Sequence, residues 1–184
     1  MDRAIAVLES VSVARGMAMA DAAVKRAPVE LYFAATTCPG KFLVVVGGGV
    51  SAVRVALEAA VEVGREMISD RTFIPNVHPD VFPALSASSC VSAEGVVDLG
   101  VLESMAAPAV FEAADAIAKG CSVRLVEIRL GRGMGAKSFV SFAGDSADVE
   151  RGLRVGVELL SGRGLLVDAV HMKRPLAPVL RFVL

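Results

Sequence analysis

The 184-residue sequence states one module twice. Val7-Leu8-Glu9-Ser10 returns as Val101-Leu102-Glu103-Ser104, and Ala20-Asp21-Ala22 with Lys25 returns as Ala114-Asp115-Ala116 with Lys119, both 94 residues later. A shared offset marks a duplicated module rather than chance composition. Two copies are too few for a solenoid. They suit two similar domains of roughly 90 residues each, packed side by side.

Modules that small bury a limited core, and oligomerisation is a common remedy. The chain is 54% hydrophobic, yet its longest uncharged stretches, residues 42–53 and 81–93, fall short of the roughly 20 apolar residues of a membrane span. No basic n-region followed by an apolar h-region opens the chain, so neither a secretion signal nor a membrane association is expected. The apolar excess therefore points to faces buried between subunits. A net charge of −1, one Tyr and no Trp argue against a nucleic-acid partner, which calls for a basic face and stacking aromatics. Three cysteines at wide spacing suit a reducing compartment rather than a disulfide framework.

Within each copy the hydrophobic period changes in a fixed order. Residues 4–8 read as a buried strand, repeated at 98–102. Val13, Met17, Ala20 and Val24 then form a helical stripe, matched by Ala107, Phe111, Ala114 and Ala118. Strands are expected at 29–34 and 42–46, joined through residues 35–41. Their counterparts at 123–130 and 138–143 are joined through residues 131–137, and Lys41 matches Lys137 at an offset of 96. A second helix follows, with Val53, Leu57, Ala60 and Gly64 matching Val149, Leu153, Gly156 and Leu160. Each copy closes on a short strand and a proline-punctuated tail, at 74–79 and 173–175. The order β-α-β-β-α-β is the ferredoxin-like split arrangement, so an α+β fold of two such domains is expected. The small, polar run from Ser86 to Ala93 reads as a linker. Domains are thus expected over 1–86 and 96–184, with the linker at 87–95.

Candidates for chemistry are few. Gly47-Gly48-Gly49 lies between a strand and a helix but lacks phosphate-loop spacing, and the second copy replaces it with Ala143-Gly144-Asp145. A tight strand-to-helix turn is the better reading. Gly131-Arg132-Gly133-Met134-Gly135 joins two strands, so it reads as a hairpin tip. His78 and His171 have no companion ligands at metal-binding spacing. The duplicated Glu9 and Glu103 suggest a structural contact, such as a cap on the following helix. No catalytic array stands out. Cys121 sits where the first copy has Ala27 and reads as a small core residue, while Cys90 lies in the linker. Cys38 differs: Thr37-Cys38-Pro39-Gly40 puts a thiol at a stiff hairpin tip. One thiol holds no cluster, and the plain reading is an ordinary loop cysteine. In a symmetric trimer, however, three copies converging on the axis can ligate three irons of a cubane.

A first strand ending in Leu-Glu-Ser, a helix with Ala-Asp-Ala-x-x-Lys, and a hairpin before Gly-Gly or Gly-Asp together resemble the BMC domain of bacterial microcompartment shells. Two copies in one chain resemble its unpermuted tandem class, which forms pseudohexameric homotrimers. More narrowly, the segments at residues 37–43, 76–79 and 164–167 resemble the tandem shell proteins of propanediol-utilisation compartments. That resemblance implies a shell location in the cytoplasm and no enzymatic role. It implies a [4Fe-4S] cluster held by Cys38 of three subunits, in a central pore lined by Thr37, Pro39, Gly40, Gly131, Arg132, Gly133, Met134 and Gly135. It implies a lattice edge at Lys25, Lys119 and Arg174, with Asn76 in the arginine's place in the first copy. The implied partners are other shell proteins in a hexagonal lattice and enclosed redox enzymes. One alternative keeps the tile but makes the pore a cluster-free, gated channel for small metabolites. Another is a ferredoxin-like enzyme or small-molecule binder.

Overall fold

The computed structural model of the chain describes residues 3–86, 91, 96–131 and 133–183. The first copy runs β1 (Ala4–Ser10), α1 (Val13–Arg26), β2 (Glu30–Thr37), β3 (Lys41–Gly48), α2 (Val50–Gly64), β4 (Ile68–Ile74) and α3 (Val81–Leu85). The second runs β5 (Asp98–Ser104), α4 (Ala107–Gly120), β6 (Val123–Arg129), β7 (Ser138–Gly144), α5 (Ser146–Gly162), β8 (Leu166–Lys173) and α6 (Ala177–Val183). Two antiparallel sheets result, ordered β2-β3-β1-β4 and β6-β7-β5-β8. The expected β-α-β-β-α-β order is present twice; the short helices α3 and α6 were not foreseen.

The chain divides into two compact units. The first comprises Met1–Val77, Ala106–Ala109 and Gly131–Ala136, and the second comprises His78–Met105, Val110–Leu130 and Lys137–Leu184. Most of the expected linker at 87–95, with Cys90, lies outside the described residues, as does Arg132.

In the first unit β1 and β3 are buried on both faces: Ala4, Ala6, Leu8, Phe42, Val44 and Val46 on one, Ile5, Val7, Leu43 and Val45 on the other. This explains why their sequences read as continuous apolar runs instead of alternating. Helix α1 buries Gly16, Met19, Ala20 and Ala23. The stripe expected through Val13, Met17, Ala20 and Val24 is therefore out of phase, because the buried side is made of small residues apart from Met19, and Met17 and Val24 point outward. Small residues let the helix sit close. A Cβ at Gly16 would lie 2.4 Å from the Phe42 Cβ. Gly16→Ala is accordingly expected to lose about 1–3 kcal/mol by overpacking. Urea denaturation measures this, and an unchanged midpoint would contradict the close packing.

The second unit buries Phe111, Ala114, Ile117, Phe142, Val149 and Leu160. Gly152 and Gly156 of α5 face Phe142, Ile117 and Leu102 at distances that leave no room for a side chain. Here the expected α4 stripe is correct, since Ala107, Phe111, Ala114 and Ala118 are all buried.

Three other expectations need correction. The first hairpin connection is shorter than residues 35–41, because β2 pairs with β3 out to Thr37 opposite Lys41. The closing strands lie earlier than residues 74–79 and 173–175, at the edge strands β4 and β8; the polar run Ser69–Thr72 hides the strand period in β4, and β8 mixes apolar and polar residues without alternating. Glu9 does not cap the helix. Ser12 does, its Oγ accepting the Arg15 N–H at 3.3 Å.

Candidate functional site

The first hairpin tip is Cys38-Pro39-Gly40. Gly40 donates its N–H to the Thr37 carbonyl at 3.0 Å and adopts φ +85°, a left-handed conformation suited to glycine. Thr37 is buried, Cys38 half-buried, and Pro39 and Gly40 exposed. The Cys38–Pro39 peptide is cis. The segment Gly131–Ala136 belongs to the same unit as this tip. Cys38 donates its N–H to the Gly131 carbonyl at 2.8 Å, and the Gly133 N–H points at the Cys38 Sγ at 3.3 Å. Gly133 and Gly135 are exposed with positive φ, and Met134 is half-buried between them. Of the residues expected to line an opening, all but the undescribed Arg132 thus gather around one thiol.

The root of the tip is pinned by a pair the sequence reading missed. Lys41 Nζ meets Glu9 Oε1 at 2.7 Å, with Glu9 only 3% exposed, and the Ser69 hydroxyl donates to the same carboxylate at 2.8 Å. The second copy repeats the pair loosely, Lys137 to Glu103 at 3.4 Å. The duplicated glutamates therefore anchor hairpins. Gly47 and Gly48 belong to β3 and only Gly49 leads into α2, so the expected turn is shorter than the three glycines; Gly47 is structural, since a Cβ there would lie 2.6 Å from the Tyr32 ring.

The residues expected at a lattice edge lie apart from the thiol in sequence. Lys25 and Lys119 end α1 and α4, each paired one turn back, with Asp21 and Asp115, at 2.6 Å. Strand register shows which positions correspond beyond the closing strands. Ile5 pairs with Ile74 and its repeat mate Leu99 with Met172, an offset of 98. Asn76 and Arg174 are therefore true counterparts, and both adopt positive φ, 65° and 48°. Behind Arg174 lies a buried group that the sequence reading missed. Asp98, 2% exposed, accepts the Arg174 N–H at 3.0 Å and faces His171 Nε2 at 2.7 Å.

The Ser146 hydroxyl, the Arg174 amide and the His171 ring hold the Asp98 carboxyl below the usual carboxylate range, against the opposing effect of burial. A depressed folded-state pKa stabilises above the unfolded value, and that stability is lost as pH falls through the folded value. Melting is therefore expected to weaken on acidification below about pH 4, the ordinary aspartate range. In Asp98→Ala this contribution to the acid slope disappears, and about 1–3 kcal/mol is lost at neutral pH from the partners left unpaired. Parallel pH titrations of thermal stability check both, and identical acid slopes would remove Asp98 from the account.

Among the described residues no group of three or more His, Cys, Asp or Glu is placed to hold a metal, and no helix is long and apolar enough to cross a membrane.

Comparison with known proteins agrees with the duplicated architecture. The BMC domain model matches twice, over residues 4–77 and 98–175. The bacterial microcompartment shell protein PduT of Citrobacter freundii is 37% identical over 175 residues, 95% of this chain and 94% of that one. The crystal structure of a microcompartment protein from Desulfitobacterium hafniense superposes with a TM-score of 0.91 at 40% identity, covering 98% of this chain and 99% of the other. A fused, permuted hexameric shell protein from an RMM microcompartment shares the fold at a TM-score of 0.62 and 20% identity, over 87% of this chain and 82% of its own.

Proposed function

Because the chain belongs to the BMC-domain family of bacterial microcompartment shell proteins, we propose that it forms a trimeric, pseudohexameric tile whose central opening holds a [4Fe-4S] cluster. As a shell component it resides in the microcompartment, within the bacterial cytoplasm. The observation that carries the cluster reading is the Cys38 tip. A half-exposed sulfur receives a backbone N–H from Gly133, and among the described residues no group of His, Cys, Asp or Glu side chains gathers beside it as a metal site. Cluster thiolates are stabilised by N–H donors of this kind. The likeness to PduT over nearly the whole chain supports the same assignment.

In this reading each of three chains contributes one Cys38 thiolate. When bound, the cluster supplies one-electron chemistry at the opening and blocks the passage of small molecules. The chain's own part is positional. The Glu9–Lys41 pair fixes the base of the hairpin, Gly40 turns it, and the Gly131 carbonyl and Gly133 amide hold Cys38 from both sides. Lys25, Lys119, Asn76 and Arg174 then face neighbouring tiles in a flat lattice, and enclosed redox enzymes are the electron partners. The role is structural and electron-conducting rather than enzymatic.

Anaerobic purification tests the proposal. Visible absorption, and a paramagnetic signal after dithionite reduction, are expected. A colourless trimer that takes up no iron on reconstitution would overturn the cluster. The glycines with positive φ in the second tip would then favour a gated pore for small metabolites.

A further inference from the structure

The two repeats are not equally covered, and the difference is systematic. At the offset of 94 residues, Phe111, Ala118 and Leu125 are 0%, 7% and 1% exposed, while their mates Met17, Val24 and Leu31 are 56%, 41% and 41% exposed. The acidic residue between them follows suit. The Asp115 side chain is 11% exposed and that of Asp21 58%. Met17, Asp21 and Val24 lie four and three residues apart on α1, so with Leu31 of β2 they form one bare apolar strip around one carboxylate.

In the second unit the corresponding strip is held by the segment that follows β4. His78 donates its backbone N–H to Asp115 Oδ1 at 2.7 Å, Asp80 pairs with Arg124 of β6 at 2.7 Å, and α3 packs on β6. Val81 of that helix is completely buried. At the offset of 98, the segment after β8 is its counterpart. Leu176 matches His78 and Val179 matches Val81, yet these two are 73% and 45% exposed. One chain thus carries a bare strip and a bare tail, each the repeat mate of a surface that is satisfied in the second unit.

We infer that the occupant of the strip is the tail of a second copy of this chain. The Leu176 backbone N–H donates to Asp21 of the neighbour, and Leu176 and Val179 cover Met17, Val24 and Leu31. The two surfaces are different patches, so the contact is head-to-tail and closes into a ring if the rotation allows. The inference rests on the trimeric reading and names the junction that makes it. It also gives the duplicated Ala-Asp-Ala-x-x-Lys segment a second use: its aspartate grips a neighbouring backbone while its lysine stays at the rim.

The test measures mass by light scattering for the wild type, a tail variant (Leu176→Asp with Val179→Asp) and a strip variant (Met17→Glu with Leu31→Glu). All four positions are exposed in the single chain, so far-UV circular dichroism and melting of the isolated chain are expected to persist. Mass is expected to fall threefold in both variants. In a Cys38→Ser, Cys90→Ser background, Asp21→Cys with Leu176→Cys is expected to cross-link chains under mild oxidation, and neither cysteine alone to do so. A wild type that is not trimeric would overturn the assembly reading itself. A trimeric wild type whose two variants stay trimeric, with no cross-link in the paired cysteines, would overturn this junction and leave that reading standing.

Discussion

Replacing Cys38 with serine is expected to abolish iron binding while leaving the trimer and its melting temperature unchanged. The loss is expected to be total because, among the described residues, no other thiol is a substitute, and Cys90→Ser is expected to keep the iron. Cys121 is buried at the end of α4, where burial pushes its thiol up and away from the ligating thiolate form. About four irons per trimer are expected in the anaerobic wild type and none in Cys38→Ser. Cys121→Ser is expected to keep the iron and lose only a little stability. Serine is close in size to cysteine, and the tip is held by backbone groups, the Cys38 N–H on the Gly131 carbonyl and the Gly40 N–H on Thr37. The fold therefore has no reason to change. Iron analysis with absorption spectra of the four proteins decides the matter. Iron retained in Cys38→Ser would move the site elsewhere.

Removing the cation beneath the tip is expected to be the most destabilising single change in the first unit. Lys41→Met leaves Glu9 nearly sealed from water, with Ser69 as its remaining polar contact. An uncompensated buried charge costs about 3–5 kcal/mol. For a chain of this size each kcal/mol corresponds to roughly 2–4 °C in melting temperature. The duplicate provides an internal control. Lys137→Met breaks a longer, more exposed pair and is expected to cost no more than about 1 kcal/mol. Adding Glu9→Gln to Lys41→Met removes the stranded charge and is expected to restore much of the loss. Thermal and urea unfolding of the three variants and the wild type measure these differences. Equal effects at Lys41 and Lys137 would show that burial is not what distinguishes the two pairs.

Both outcomes bear on what can be read from a sequence of this kind. The repeat, the element order and the sheet class follow from local patterns that survive duplication, and the structure shows them twice. The Cys38 tip was legible because Cys-Pro-Gly is a local turn signal. The Glu9–Lys41 and Asp98–His171 pairs were not. Their partners are 32 and 73 residues apart and meet only after strand register is set. The one available clue was that Glu9 and Lys41 both recur in the second copy. The phase of α1 was misread for a different reason. Its core face is Gly16, Met19, Ala20 and Ala23, of which three have a methyl group or no side chain, whereas the larger apolar Met17 and Val24 are exposed. Hydrophobic periodicity reports burial in the assembly, and it does not separate a core face from a face turned to another chain. The closing strands were missed because edge strands such as Ile68–Ile74 carry Ser69, Asp70, Arg71 and Thr72 in succession, which hides the alternation expected of a strand.

The most direct test of the central claim is native mass spectrometry of the anaerobically purified protein. The account predicts one dominant species, three chains carrying a single [4Fe-4S] cluster, with Cys38→Ser giving three chains and no added mass. Three chains that stay bare even after reconstitution with iron and sulfide, or one cluster for each chain, would contradict it.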